Sequence, residues 1–153
     1  MKRFSYVAMA LMASAIASFV TIRAAGGSGE AQKRGYVIET DSLVATPQSG
    51  PHEGGGETTG YSFFSGVPDL EFVFRKRALH PGAAIGYHEQ DRDEVYYVLS
   101  GTGELTMNGT KSVVGPGTSI LTRTGSSHGL RQTGADDLVI VIVYSKSSSV
   151  SSH

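Results

Sequence analysis

Cysteine is absent from all 153 residues. That excludes disulfides, thiolate metal ligands, a cysteine nucleophile and acylation at a lipobox. Charge of one sign is also missing: 13 basic residues face 14 acidic ones, for a net charge of −1. Composition therefore marks no face for nucleic acid or anionic lipid. Only five prolines stand beside 20 glycines, and the apolar fraction is an ordinary 39%. This fits a turn-rich β protein better than a disordered chain. There is no internal repeat and, past the N-terminus, no sustained 3.6-residue apolar period. A phosphate loop is excluded as well. The three glycines of "PHEGGGETTG" precede no Gly-Lys-Ser/Thr, and no helix begins there. The length suits one domain with a real core.

The first residues form a separate unit. "MKR" is a short positive start, and "FSYVAMALMASAIASFVTI", Phe4 to Ile22, is apolar and rich in small residues. Residues 1–25 read as a secretory signal peptide, with cleavage near Ala15–Ala17 or near Ala24–Ala25, where Arg23 spoils the pattern. The expected location is the periplasm or the exterior. An uncleaved membrane anchor is the alternative, because roughly 20 apolar residues suffice to cross a bilayer. Residues 26–35 are a flexible leader, 36–145 the folded β-barrel domain, and 146–153 a polar tail.

Beyond the leader the chain reads as short strands between turn residues. "YVIET" is expected to be the first strand, and a long loop follows over residues 47–60. The remaining strands are "YSFFS", "DLEFVFRKRALH", "AIGYHE", "DEVYYVLS", "GELTMNG", "KSVV", "TSILTR", "HGLRQT" and "DLVIVIVYS". The expected class is all-β, an antiparallel sandwich or barrel. Asn108-Gly109 is a tight hairpin signal. In residues 93–100 one face carries Glu94, Tyr96 and Val98 and the other Val95, Tyr97 and Leu99. Apolar residues on both faces predict a second sheet on one side and an added strand or a subunit partner on the other.

Polar groups interrupt this pattern in two places. Gly82 is followed after five residues by His88, Glu89 and Gln90, then after three by Glu94 and after six by Gly101. Gly117 is followed after five residues by Arg123, Thr124 and Gly125, then His128 and, three residues on, Gln132. These spacings resemble the two motifs of the cupins, G-x5-H-x-H-x3–4-E-x6-G and G-x5-P-x-G-x2-H-x3-N, and the likeness covers most of residues 70–145. It implies a double-stranded β-helix of jelly-roll form with a metal at its centre. Three positions depart from the motifs. Gln90 replaces a histidine, Arg123 a proline and Gln132 an asparagine. The last two concern turns and scaffolding, the first the metal.

Spacing alone supports convergence. Residues 88 and 90 share a strand face, roughly 6 to 7 Å apart along it. His88, Gln90, Glu94 and His128 form an N/O donor set suited to a divalent transition metal. Iron or manganese is favoured, with zinc and nickel as alternatives. The plain reading is that a His and a Glu near a strand end are hydrogen-bonded surface groups. Arg75 and Arg77 share a strand face opposite Lys76. If that face lines the cavity they are substrate-binding candidates for a carboxylate or phosphate; a solvated face is the plainer reading. The loop with His52, Glu53 and Glu57 reads as a mobile connector in preference to a lid. Arg123 reads as a surface residue at a rim turn. Tyr87, His52 and Glu57 are the candidates for proton transfer, while Tyr96 reads first as core.

The expected function is a metal-dependent enzyme acting on a small oxygen-rich substrate, a carboxylate or sugar acid, by isomerase or lyase chemistry. An iron-dependent dioxygenase, a non-catalytic ligand-binding barrel and a metal-free scaffold are the alternatives. The expected partners are a small-molecule substrate and a second copy of the chain, with no nucleic acid and, after cleavage, no membrane.

Overall fold

The protein's structure, a computed structural model, describes residues 35–146. Residues 1–25, expected to be a signal peptide, nearly all of the expected leader and the end of the tail lie outside the described residues. Among the described residues no helix is long and apolar enough to cross a membrane.

A single helical turn, α1 (Asp41–Val44), precedes ten strands. They are β1 (Ala45–Ser49), β2 (Glu57–Phe63), β3 (Phe72–Leu79), β4 (Ala84–Glu89), β5 (Glu94–Ser100), β6 (Gly103–Met107), β7 (Thr110–Val114), β8 (Ser119–Thr122), β9 (Ser127–Gln132) and β10 (Leu138–Ser145). They form a six-stranded sheet in the order β1-β2-β3-β10-β5-β8 and a four-stranded sheet in the order β4-β9-β6-β7. All pairings are antiparallel. This is the jelly-roll arrangement of a cupin fold.

The strand alternation decides what faces inward. In β5, Glu94, Tyr96 and Val98 are buried and Val95, Tyr97 and Leu99 exposed. The register of the large sheet aligns inward residues in rows across β3, β10 and β5. Leu79 pairs with Leu138, Arg77 with Ile140 and Val98, and Arg75 with Ile142 and Tyr96. The next row holds Tyr144 and Glu94. The interior thus grades from purely apolar at one end to charged at the other. Leu79, Val98, Leu130, Leu138 and Ile140 fill the apolar end and are all but inaccessible. Each such side chain contributes about 2 kcal/mol by leaving water. That apolar floor supports the polar mouth.

Two expectations fail at the N-terminal edge. Residues 36–40 form no strand, and Tyr36 and Ile38 are exposed. The first strand is β1 instead, which lies within the stretch expected to be loop from Pro47 onward. It is an exposed edge strand held by backbone pairing to β2, so no apolar alternation announces it. Pro47 is tolerated there because an edge strand leaves one row of N–H groups unused. The hairpin between β6 and β7 is as expected, with Asn108 and Gly109 at φ of 46° and 81°.

The glycine loop is not a free connector. Gly50 N–H donates to Gly56 O, Gly86 N–H to Pro51 O and Ala84 N–H to Gly55 O, at 3.0, 2.9 and 3.1 Å. Residues 50–56 are therefore laid against the start of β4. Gly86 permits this, because a Cβ there would lie 1.7 Å from His52 O.

Candidate functional site

The charged end of the interior opens into a cavity of about 420 Å³. The large sheet supplies Arg75, Arg77, Glu94, Tyr96, Ile142 and Tyr144, and the 88–92 turn region supplies His88, Gln90 and Arg92. His88 on β4 pairs directly with His128 on β9. Their ring centroids are 4.8 Å apart. A register shift between Ile85 and His88 lets both of those residues face inward.

His88 Nδ1 lies 2.8 Å from Gly86 O, a carbonyl that can only accept. Nδ1 therefore carries the proton, and Nε2 presents its lone pair to the cavity. Glu94 sits buried at the top of β5. Burial pushes its carboxyl above the usual range, opposed by a hydrogen bond from Tyr96, by His88 whenever that ring is protonated, and by the positive charges of Arg75 and Arg92. His128 is wholly buried. Its Nε2 shares a 3.1 Å hydrogen bond with the Tyr96 hydroxyl and stands 3.9 Å from Glu94 Oε2. Its Nδ1 has no partner among the described residues. Burial, then repulsion from the protonated forms of His88 and His52, lowers its pKa to about 4, so the ring is neutral at pH 7. Burial and the Glu94 charge raise Tyr96 well above the usual phenol value.

Gln90, just past β4, is buried. Its backbone is clamped to the β8–β9 turn, with N–H donating to Ser126 O at 2.9 Å and O accepting from Gly125 N–H at 2.8 Å. Its side-chain Nε2 donates to Glu94 Oε2 at 2.8 Å and lies 3.5 Å from His88 Nε2. The His88 imidazole, the Glu94 carboxylate and the Gln90 amide thus line one cavity, with the buried His128 ring behind Glu94. Their chemistry fits a divalent ion with N/O ligands. As they stand, no three His, Cys, Asp or Glu side chains among the described residues are grouped to hold one.

Arg75 and Arg77 do line the cavity, while Lys76 faces the other way and pairs with Asp41. The solvated-face reading of the two arginines is corrected here. Arg77 is buried and donates to Thr58 Oγ1 at 2.8 Å and Gln48 Oε1 at 3.1 Å. Arg75 Nε is buried without a partner among the described residues. Its guanidinium lies 5.8 Å from the Tyr144 ring centroid, and that of Arg92 lies 5.4 Å from the same ring.

The candidates for proton transfer part company. His52 reaches the rim, stacked on His88 with centroids 3.4 Å apart and rings 6° from parallel. Burial, His88 and Arg77 lower its pKa. Tyr87 instead lines a groove outside the small sheet, together with Glu104, Lys111 and Arg131. Glu57 lines another groove, beside Thr59 and His80. Neither lies on the cavity. Arg123 is a surface residue, paired with Asp93 at 2.8 Å. Tyr144 and Arg92 are wall residues the sequence did not mark. Tyr144 could have been found by continuing the alternation of Ile140 and Ile142.

Residues 76–144 match the family described as the cupin domain. The oxalate-binding protein of Thermotoga maritima is 28% identical over 112 residues, covering 71% of this chain and 93% of that protein. A crystal structure of a predicted oxalate decarboxylase from Thermotoga maritima superposes with a TM-score of 0.65 at 26% identity. It spans 71% of this chain and 98% of that one. The polyketide cyclase of Streptomyces resistomycificus shares the fold, with a TM-score of 0.63, 23% identity, and coverage of 72% and 79%. The match to the cupin domain covers residues 76–144, and the fold is a jelly roll of cupin type. His52 and Arg75 both precede the matched segment, so part of the cavity wall is built outside it.

Proposed function

We propose that this cupin captures a small carboxylate in its cavity and transforms it with the help of a divalent metal ion. One observation carries the reading: His88, Gln90 and Glu94 line the same cavity as Arg75, whose buried Nε has no partner among the described residues, and buried His128 lies behind them with its Nε2 3.9 Å from Glu94 Oε2. A guanidinium in that state is suited to an incoming carboxylate. Arg77 is held by Thr58 and Gln48 and contributes charge and shape more than a free fork.

His88, Glu94 and His128 would hold the ion through one nitrogen or oxygen each, with the Gln90 carboxamide beside them. Iron or manganese suits this set, and zinc or nickel are alternatives. The ion would polarise a substrate oxygen. Tyr96 and Glu94 keep the site polar, while Ile142 and Tyr144, beside them on the same sheet, supply the apolar part of that wall. His52, at the rim, is the residue placed to take up or return a proton. This arrangement favours isomerisation or elimination next to a carbonyl. Export through residues 1–25 belongs to the reading, as does a homodimer through the outer face of the large sheet, where Val95, Tyr97, Leu99 and Leu121 are exposed. Light scattering of wild type and Leu121→Lys tests the dimer.

A second reading, capture without turnover, is favoured by the relative named an oxalate-binding protein. The test begins with elemental analysis, where about one divalent ion per chain is expected. Thermal shifts with oxalate, other small carboxylates and sugar acids follow, because a ligand of the folded state must stabilise it. Iron, manganese, zinc and nickel forms are then compared with and without oxygen. Turnover by several metals without oxygen supports the lyase or isomerase reading. Turnover confined to iron under oxygen makes the protein a dioxygenase. A large shift without turnover makes it a binding protein, and a chain that takes up no metal and no ligand overturns the proposal.

A further inference from the structure

Gln90 stands where the cupin motif has a histidine, and its geometry shows what the amide does. The side-chain nitrogen faces two atoms that can only accept. Glu94 Oε2 is 2.8 Å away. His88 Nε2, 3.5 Å away, is a lone pair because the ring's proton is held on Nδ1 by Gly86 O. Turning the amide over would set its oxygen against a carboxylate and a lone pair, so the donor orientation is dictated.

A cation bound by these residues would draw on the same two lone pairs. The NH2 group of Gln90 therefore competes with it for both. We propose that Gln90 is an internal latch on the ion site: its carboxamide satisfies Glu94 and His88 in the metal-free protein and must be displaced when an ion binds. This rests on the metal reading above. It deepens that reading by making Gln90 an antagonist of the ion and not a ligand.

The backbone bonds from Gln90 to Ser126 O and Gly125 N–H fix where the side chain starts. Displacement must then come from side-chain rotation alone, towards the cavity that Gln90 already lines. A buried carboxylate gains more from an amide hydrogen bond than an exposed one does, since water is not there to replace it. The latch thus offsets part of the cost of keeping Glu94 buried without a cation. A site built in this way trades ion affinity for stability when empty, and so loads and unloads readily.

Zinc titration by calorimetry, with thermal melting in chelator, tests the latch on wild type, Gln90→Ala and Gln90→Leu. Leucine fills the space without donating, in case alanine folds poorly. The expected result is zinc bound about tenfold more tightly by the variants, as one charge-assisted hydrogen bond no longer has to be broken. Melting temperature in chelator should fall at the same time. Equal or weaker zinc binding by both variants overturns the latch and makes Gln90 a ligand or a bystander. If wild type and variants alike take up no zinc, the metal reading fails by itself. The latch is then decided by the Gln90 carboxamide resonance of nitrogen-15-labelled protein in chelator. Protons slow to exchange in wild type and fast in Glu94→Ala support it. Protons that exchange as quickly as those of exposed glutamines overturn it.

Discussion

The imidazoles of His52 and His88 lie face to face, 3.4 Å between centroids and 6° from parallel. One comes from the N-terminal glycine loop, the other from the cupin strand β4. The contact ties a segment outside the matched domain to the heart of its site. His52 takes φ of 51°, in the left-handed region, so the backbone there is held in an uncommon conformation to deliver this ring.

If His52 moves a proton, His52→Ala should lower kcat by about 100-fold, the lower end for general acid–base catalysis, with KM little changed. Metal content measured on the same preparation should stay at the wild-type level. A variant whose loss of kcat is matched by an equal loss of metal, and is restored by added metal, would show His52 to be a prop for His88 and not a proton carrier.

The loop's seat on β4 can be broken separately. At Gly86 an added Cβ would lie 1.7 Å from His52 O and 2.8 Å from the carbonyl carbon, both backbone atoms that cannot rotate away. Gly86→Ala should therefore cost about 3 kcal/mol, the upper range for a single substitution, and free residues 50–56. Urea unfolding measures the first effect. Limited proteolysis within the loop, rapid in the variant and slow in the wild type, measures the second.

That loop also shows where the sequence was opaque. "PHEGGGETTG" reads as a mobile connector because glycine runs carry no sign of what they dock against. The partner, Gly86, is itself silent until the chain is folded. β1 was hidden for a related reason: all five of its residues are exposed, and an edge strand needs only backbone pairing. Tyr87 was misplaced because the irregularity between Ile85 and His88 interrupts strict alternation. Legible features had a side-chain period to betray them. The alternation of Glu94, Tyr96 and Val98 fixed the inward face of β5, and Arg75 and Arg77 followed the same rule on β3. The spacing of His88, Gln90, Glu94 and His128 gave no sign that the amide nitrogen of Gln90 would face Glu94.

Gln132 was read as scaffold, and its contacts give that role a physical content. Its Oε1 accepts from Gly82 N–H at 2.8 Å, and its Nε2 donates to Gly134 O and Asp136 O, each at 2.7 Å. One buried amide fastens the β3–β4 turn to the β9–β10 loop. Gln132→Ala should cost about 3 kcal/mol by stranding these partners. Gln132→Asn, which restores the motif residue, is one methylene shorter and should recover less than half of that loss. Denaturant unfolding of both variants decides the matter. Full stability in the asparagine variant would show that reach is unimportant here.

Arg75 offers the most direct test of ligand class. Its guanidinium lies against Tyr144, and Nε is buried without a partner among the described residues. A carboxylate docking there would gain a charge-assisted fork, whereas an uncharged ligand would gain little. Arg75→Leu should weaken binding of a responsive carboxylate by about 100-fold, the order of a charged hydrogen bond. Arg75→Lys keeps the charge but neither the plane nor the fork, so it should recover only a minor part. Titration calorimetry with the carboxylate that gives the largest thermal shift supplies the readout. An uncharged analogue of the same shape serves as control and should bind all three proteins with equal, weak affinity. Lysine restoring full affinity would reduce the role of Arg75 to simple charge attraction. Leucine leaving affinity intact would remove Arg75 from the binding site altogether.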